Sequence, residues 1–226
     1  MKSESVRRHF DSIAADYDLW KSKAHYYYDA VKASVAQVVP PDSRVCEVGC
    51  GTGDVLAELK PSAGLGTDIS PAMVEAAAKR HPDLRFEVRD LMASSSTERY
   101  DFVVAVDVFE HVPDPAKCFL NMARMLDEDG ILVVVTANPI WAGPLHLAEK
   151  LGLKMPEGEH QWRSREDLRR AAEAAGLVER SFARSFVIPK DIPGLRQLNT
   201  VSWAESLRQR FGLIQRVVYE RGIRVT

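Results

Sequence analysis

Residues 45–56 read V-C-E-V-G-C-G-T-G-D-V-L. An apolar run breaks into a turn with glycine at every second position, Gly49, Gly51 and Gly53, and then opens into a helical pattern. A strand feeding a glycine turn and a helix N-terminus is where a parallel α/β sheet holds a nucleotide-like ligand. Glycine takes positive φ at no steric cost and exposes bare backbone, so this turn suits a flat approach to a cofactor. Two common versions of such a turn fail on spacing. G-x-G-x-x-G started at Gly49 needs a third glycine at Asp54, and started at Gly51 needs it at Leu56. A phosphate-cradling loop needs Lys directly after its last glycine, and the first Lys to follow is Lys60.

The pattern that stands is E-x-G-x-G-x-G with Glu47 in front, and it closely resembles motif I of the class I S-adenosylmethionine (SAM) dependent methyltransferases. The rest of the chain continues the resemblance. Residues 64–69, G-L-G-T-D-I, form a second short strand ending in an acid. Asp68 falls 19 residues after Gly49, near the spacing at which a carboxylate at the end of strand two accepts ribose hydroxyls. Ser70-Pro71 then reads as an N-cap followed by proline at the first helical position. Residues 84–89 alternate apolar and polar as a strand, with Asp90-Leu91 behind them, and residues 100–106 form an apolar run expected to be buried on both sheet faces. The resemblance implies a cofactor set of Glu47, Gly49, Cys50, Gly51, Gly53, Asp68, Ile69, Asp90, Leu91 and Asp107. Within it Ile69 flanks the adenine, Asp90 binds its amino group and Leu91 offers a backbone N–H to the ring. The cofactor implied is SAM, with S-adenosylhomocysteine (SAH) as product. Asp90 has an ordinary reading too, as a strand-end Asp in a turn.

The run 107–114, D-V-F-E-H-V-P-D, resembles motif IV of the small-molecule branch, which includes the ubiquinone and menaquinone pathway methyltransferases. The Asp/Asn-Pro-Pro-aromatic tetrad of DNA and protein-glutamine amino methyltransferases is absent. Asp107, Glu110 and His111 stand at i, i+3 and i+4, so a helical turn would bring them to one side. His111 is the candidate general base, since imidazole exchanges protons near neutral pH. The alternatives are a divalent metal, as in some ubiquinone-pathway relatives, or a helix cap that lines the site without proton work. No metal is assigned.

The fold implied is α/β: a Rossmann-like, seven-stranded, mostly parallel sheet with helices on both faces and an antiparallel last strand at its edge. The 226 residues read as a single methyltransferase domain. Residues 1–40 form an N-terminal helical cap, 41–137 the cofactor-binding half, and 138–163 and 189–212 substrate-side insertions. A helix over 113–126 is closed by Gly130, and residues 131–136 form strand five. Ser164-Arg165-Glu166-Asp167 opens the next helix with a capping-box pattern; a strand over 177–188 and a final strand over 213–222 follow. Tyr17, Tyr27, His111, Trp141 and Trp162 are the substrate-side candidates, and their aromatic content points to an apolar or aromatic small-molecule acceptor. Phe10 and Tyr17 lie at helical spacing and have a second reading as core packing.

Charge and composition narrow the partners. The balance of 30 Lys+Arg against 32 Asp+Glu leaves a net charge of −2 with no basic tract, so nucleic acid is not expected. Three cysteines without a CxxC pair, no apolar signal core and no long apolar stretch read as a soluble, reduced, cytoplasmic protein. Oligomeric state is not legible. Two competing functions remain: an NAD-dependent oxidoreductase on a related sheet, and a SAM-binding protein without activity.

Overall fold

The computed structural model describes residues 3–93, 97–156, 158, 161–187 and 196–222. Residues 157, 159 and 160 of the expected insertion 138–163, and residues 188–195 from the end of the expected strand 177–188 into the insertion 189–212, lie outside the described residues. Seven strands form one sheet in the order β3-β2-β1-β4-β5-β7-β6. They are β1 Arg44–Val48, β2 Ala63–Asp68, β3 Arg85–Val88, β4 Tyr100–Val106, β5 Leu126–Ala137, β6 Leu177–Ser185 and β7 Ile214–Arg221. The pairs β1 with β2, β2 with β3, β1 with β4 and β4 with β5 are parallel, while β7 runs antiparallel to both β5 and β6. The chain leaves β1 toward one edge and returns through β4 on β1's other side. The carboxyl ends of β1 and β4 therefore flank the point where the strand order reverses, the place such sheets keep for ligands.

Helices cover both faces. On one, α2 (His25–Ala36) and α3 (Asp54–Glu58) bring Val31, Val35 and Leu56 against Val104, Val133 and Ile214. On the other, α5 (Pro115–Arg124) and α7 (Arg165–Ala174) bring Phe119, Met122 and Leu168 against Leu132, Val134 and Tyr219. The middle strands carry apolar side chains on both faces because both faces are covered. Local chemistry sets the helix starts. The Ser70 side chain accepts the Met73 amide ahead of α4 (Pro71–Arg80), and Asp114 accepts the Lys117 amide ahead of α5. Ser164 and Asp167 close a reciprocal capping box at α7.

Two expectations are corrected. The last strand is antiparallel, but it lies between β5 and β6 rather than at the edge. Its residues Ile214, Gln215, Val217, Val218 and Tyr219 are buried, whereas β6 carries Glu179, Arg180 and Arg184, charges suited to an open edge. Gly130 does not close α5, which ends at Arg124. Leu126 already pairs with Tyr100, and pairing resumes with Ile131 opposite Phe102, so Gly130 belongs to an irregularity inside β5.

The remaining helices lie over the carboxyl end of the sheet. These are α1 (Ser3–Lys23), α6 (Ala142–Lys150, after a short 3-10 turn at Pro139–Trp141) and α8 (Glu205–Phe211). Among the described residues no helix is long and apolar enough to cross a membrane.

Candidate functional site

The glycine turn after β1 folds as its spacing requires. Gly49, Gly51 and Gly53 have φ of +68°, +51° and +80°. A Cβ at Gly49 would stand 2.4 Å from Val108 Cγ2, so this glycine lets the loop after β4 close on the turn. At Gly51 the nearest atoms belong to the Tyr17 ring of α1, 3.4 Å from where a Cβ would be, which leaves bare backbone facing the cleft.

Asp68 ties β2 to this turn. One carboxylate oxygen accepts the Gly51 amide at 2.9 Å and the other the Ser70 amide at 2.8 Å. Burial raises its pKa, while these backbone donors pull it down. Each oxygen keeps a further lone pair, so the carboxylate can still accept two hydroxyl donors. Glu47 is buried, and its Oε2 accepts the Leu56 amide at 2.9 Å at the start of α3. Burial pushes its carboxyl up to about 8. Asp90 turns the chain after β3 by accepting the Met92 amide at 2.8 Å.

These groups surround one cleft over the ends of β1 and β4. Of the predicted cofactor residues, Glu47, Gly49, Cys50, Gly51, Asp68, Ile69, Asp90, Leu91 and Asp107 line it. Gly53 does not: it precedes α3 and faces the Phe86 ring. Of the substrate-side candidates, Tyr17 and His111 line the cleft, and so does Phe10. Tyr27, Trp141 and Trp162 lie outside its lining. Tyr27 packs on Tyr28 and Phe186, and the Trp141 indole donates to the Phe211 carbonyl at 2.7 Å, tying α6 to α8. The Tyr27 ring is thus engaged with other rings of the fold, the default use of such a side chain.

The segment 107–111 also departs from expectation. It is a turn rather than a helix, with Asp107 at φ +53° and the His111 amide donating to the Val108 carbonyl at 2.9 Å. The turn separates the three polar residues. Asp107 and His111 face the cleft, while Glu110 is buried toward the end of β5, where Oε1 accepts the Ala137 amide at 3.2 Å and the Thr136 hydroxyl. Among the described residues no group of three or more His, Cys, Asp or Glu is placed to hold a metal ion. Burial raises the Cys50 thiol well above its usual range, which suppresses thiolate chemistry there.

Helix α1 roofs the cleft and is fastened by polar contacts. Asp11 accepts the Ser70 hydroxyl at 2.6 Å, Asp18 accepts the Thr52 hydroxyl at 2.9 Å, and Lys21 pairs with Asp54 at 2.8 Å. Lys21 also lines the cleft beside Tyr17 and Tyr28, with its ammonium 5.5 and 5.2 Å from their ring centres. The sequence reading missed Lys21 although a signal existed. Tyr17 and Lys21 stand at i and i+4, so the stripe begun by Phe10 extends to it. At the other end of the cleft, the Phe10 ring meets His111 edge-on at 5.1 Å, beside Val112, Pro113 and Met155.

The reversal of strand order, the left-handed glycine turn and the acids at the ends of β2, β3 and β4 together define the class I, Rossmann-like methyltransferase architecture. The chain belongs to the family described as a methyltransferase domain, which matches residues 20–180. Among curated proteins, it is similar to a ubiquinone biosynthesis O-methyltransferase of Neisseria meningitidis serogroup A, 34% identical over 152 residues, with 59% of this chain and 63% of that protein covered. It is likewise similar to the enzyme of that name from Rhodopseudomonas palustris strain TIE-1, 35% identical over 130 residues, with 53% and 51% covered. The chain thus spans about half to three-fifths of the length of these curated relatives. Among solved structures, a SAM-dependent methyltransferase of Thermotoga maritima, described as a possible histamine N-methyltransferase, superposes with a TM-score of 0.73 at 19% identity, covering 95% of this chain and 99% of that one. Magnesium protoporphyrin IX methyltransferase from Synechocystis, with SAH bound, gives 0.65 at 20% identity, covering 97% and 99%. These two likenesses carry the fold. The family match sets aside the oxidoreductase alternative.

Proposed function

We propose that the chain is a SAM-dependent methyltransferase acting on a small-molecule acceptor, built as a single domain and working in the cytoplasm. The observation that carries this reading is the convergence of the Gly49–Gly51 turn, Asp68, Asp90 and Lys21 on one cleft roofed by α1. The residues fit the cofactor chemically. Bare backbone at Gly51 admits a flat ligand, the spare lone pairs of Asp68 suit ribose hydroxyls, and Asp90 with Ile69 and Leu91 suits adenine. The Lys21 ammonium suits a carboxylate. Bound there, SAM would supply an electrophilic sulfonium methyl to a nucleophile on the acceptor.

The protein's tasks are then alignment, exclusion of water and removal of one proton. Helix α1 excludes water. Phe10, Val112, Pro113 and Met155 offer an apolar wall to the acceptor, and His111 at its edge takes the proton. Relatives named as ubiquinone biosynthesis O-methyltransferases, together with this apolar wall, favour an apolar or aromatic acceptor carrying a hydroxyl.

Calorimetric titration with SAM, SAH and NAD tests the cofactor. Heat with SAM and SAH and none with NAD is expected, and heat with NAD alone refutes the reading. Release of SAH in the presence of hydroxylated aromatic acceptors then distinguishes an enzyme from a silent SAM binder.

A further inference from the structure

The turn 107–112 presents Asp107 and His111 to the cleft but belongs to no helix or strand, so its backbone carbonyls need partners from elsewhere. Three of those partners come from one short segment just ahead of α7. Arg163 Nε donates to the Phe109 carbonyl at 3.2 Å, Arg163 Nη2 donates to the Val112 carbonyl at 3.0 Å, and the Gln161 amide donates to the Glu110 carbonyl at 2.9 Å. The segment is itself braced, since Gln215 Nε2 on β7 donates to the Arg163 carbonyl at 3.4 Å. Arg163 does not line the cleft. Its guanidinium bridges two carbonyls three residues apart, a task for a planar fork that a single ammonium on a flexible stem performs poorly. The turn is thus held at two points, by the Arg163 fork on its backbone and by the Phe10 ring on the His111 imidazole.

We propose that Arg163 is a positioning residue for methyl transfer, clamping the turn so that His111 and Asp107 keep their places in the cleft. The proposal rests on the methyltransferase reading of that cleft. Arg163 touches neither cofactor nor acceptor and acts through the backbone of the turn. The contact joins residues 51 and 54 positions apart, which is why no spacing rule points to it.

The test follows the His111 ring directly and needs no acceptor. In protein labelled with ¹⁵N-histidine, the His111 ring signals are assigned by their loss in His111→Gln, and spectra are recorded with SAH present. Arg163→Met keeps most of the stem and removes the fork; Arg163→Lys keeps a cation. Arg165→Met is the control, because Arg165 pairs with Glu179 at 3.2 Å and has no hydrogen bond or ion pair to the turn among the described contacts. Arg163→Met should displace and broaden the His111 signals, Arg163→Lys should do so to a smaller extent, and Arg165→Met should leave them in place. SAH affinity should stay within about twofold, or about 0.4 kcal/mol, in Arg165→Met, and should fall beyond that in Arg163→Met as Asp107 moves with the turn. His111 signals of folded Arg163→Met that superpose on the parent overturn the proposal, and so do signals fully restored by Lys. If Arg163→Met does not fold, Arg163→Lys against the parent decides alone. Failure of SAH to bind the parent protein would instead overturn the methyltransferase reading, a separate result from the response of His111.

Discussion

Replacing Glu47 with Gln should stabilise the ligand-free protein at alkaline pH, although Glu47 opens the cofactor motif. The side chain is 2% exposed, and its Oε2 accepts the Leu56 amide at 2.9 Å. Burial raises its pKa from 4.5 to about 8; the Leu56 amide and the Lys21 charge oppose the shift without cancelling it. The folded value lies above the unfolded one, so the folded chain holds this proton more tightly. That contribution to stability is complete below pH 4.5 and is lost as pH rises through about 8. The gap of 3.5 units (8 − 4.5), at about 1.4 kcal/mol per unit, amounts to about 5 kcal/mol. A Gln carbonyl keeps the Leu56 bond and never ionises. Urea denaturation of the two proteins should therefore show Glu47→Gln gaining on the parent by about 1.4 kcal/mol per pH unit across this window and levelling off above it. Saturating SAM should shrink the difference, because a cationic ligand beside Glu47 favours the carboxylate. A difference that does not change with pH, or a Gln variant that is less stable at pH well above 8, would refute the reasoning.

Three further outcomes follow from the geometry. Asp68→Ala removes two charge-assisted bonds from the Gly51 and Ser70 amides, and titration should show SAH affinity falling by about 1.5 to 3 kcal/mol as the ribose loses its acceptor, with a parallel loss of stability in urea; unchanged affinity would mean that Asp68 is not the ribose ligand. Gly49→Ala introduces a Cβ 2.4 Å from Val108 Cγ2 at a backbone φ of +68°, so a melting temperature lower than the parent's is expected, with SAH unable to restore it fully. His111→Ala should leave SAH binding intact and lower turnover with a hydroxylated acceptor by about 10²-fold or more, measured as SAH release; full turnover would dismiss the base assignment.

What the sequence made legible follows the range over which its signals act. Strands β1 and β4 begin and end where their apolar runs do, and the helix starts at Ser70 and Ser164 are written in cap chemistry spanning three residues. The cleft over β1 and β4 is lined by such short pieces, each sitting at its own strand end, so the four local motifs fall together in it. Spacing misled where a backbone choice intervened. Asp107, Glu110 and His111 share a face only on a helix, and the positive φ of Asp107 sends Glu110 into the core instead. The place of β7 in the sheet was beyond local reading as well, because strand order depends on which surfaces are covered. The end of the cleft around His111 depends most on distant pairs: Phe10 on His111, His9 Nε2 within 3.2 Å of the Pro156 carbonyl, and Arg163 on Phe109 and Val112. No periodicity couples residues so far apart. A chain of this family therefore carries its cleft-lining motifs in runs a few residues long, while the contacts that tie α1 to Pro156 and the turn after β4 to Phe10, Gln161 and Arg163 form only in the folded chain.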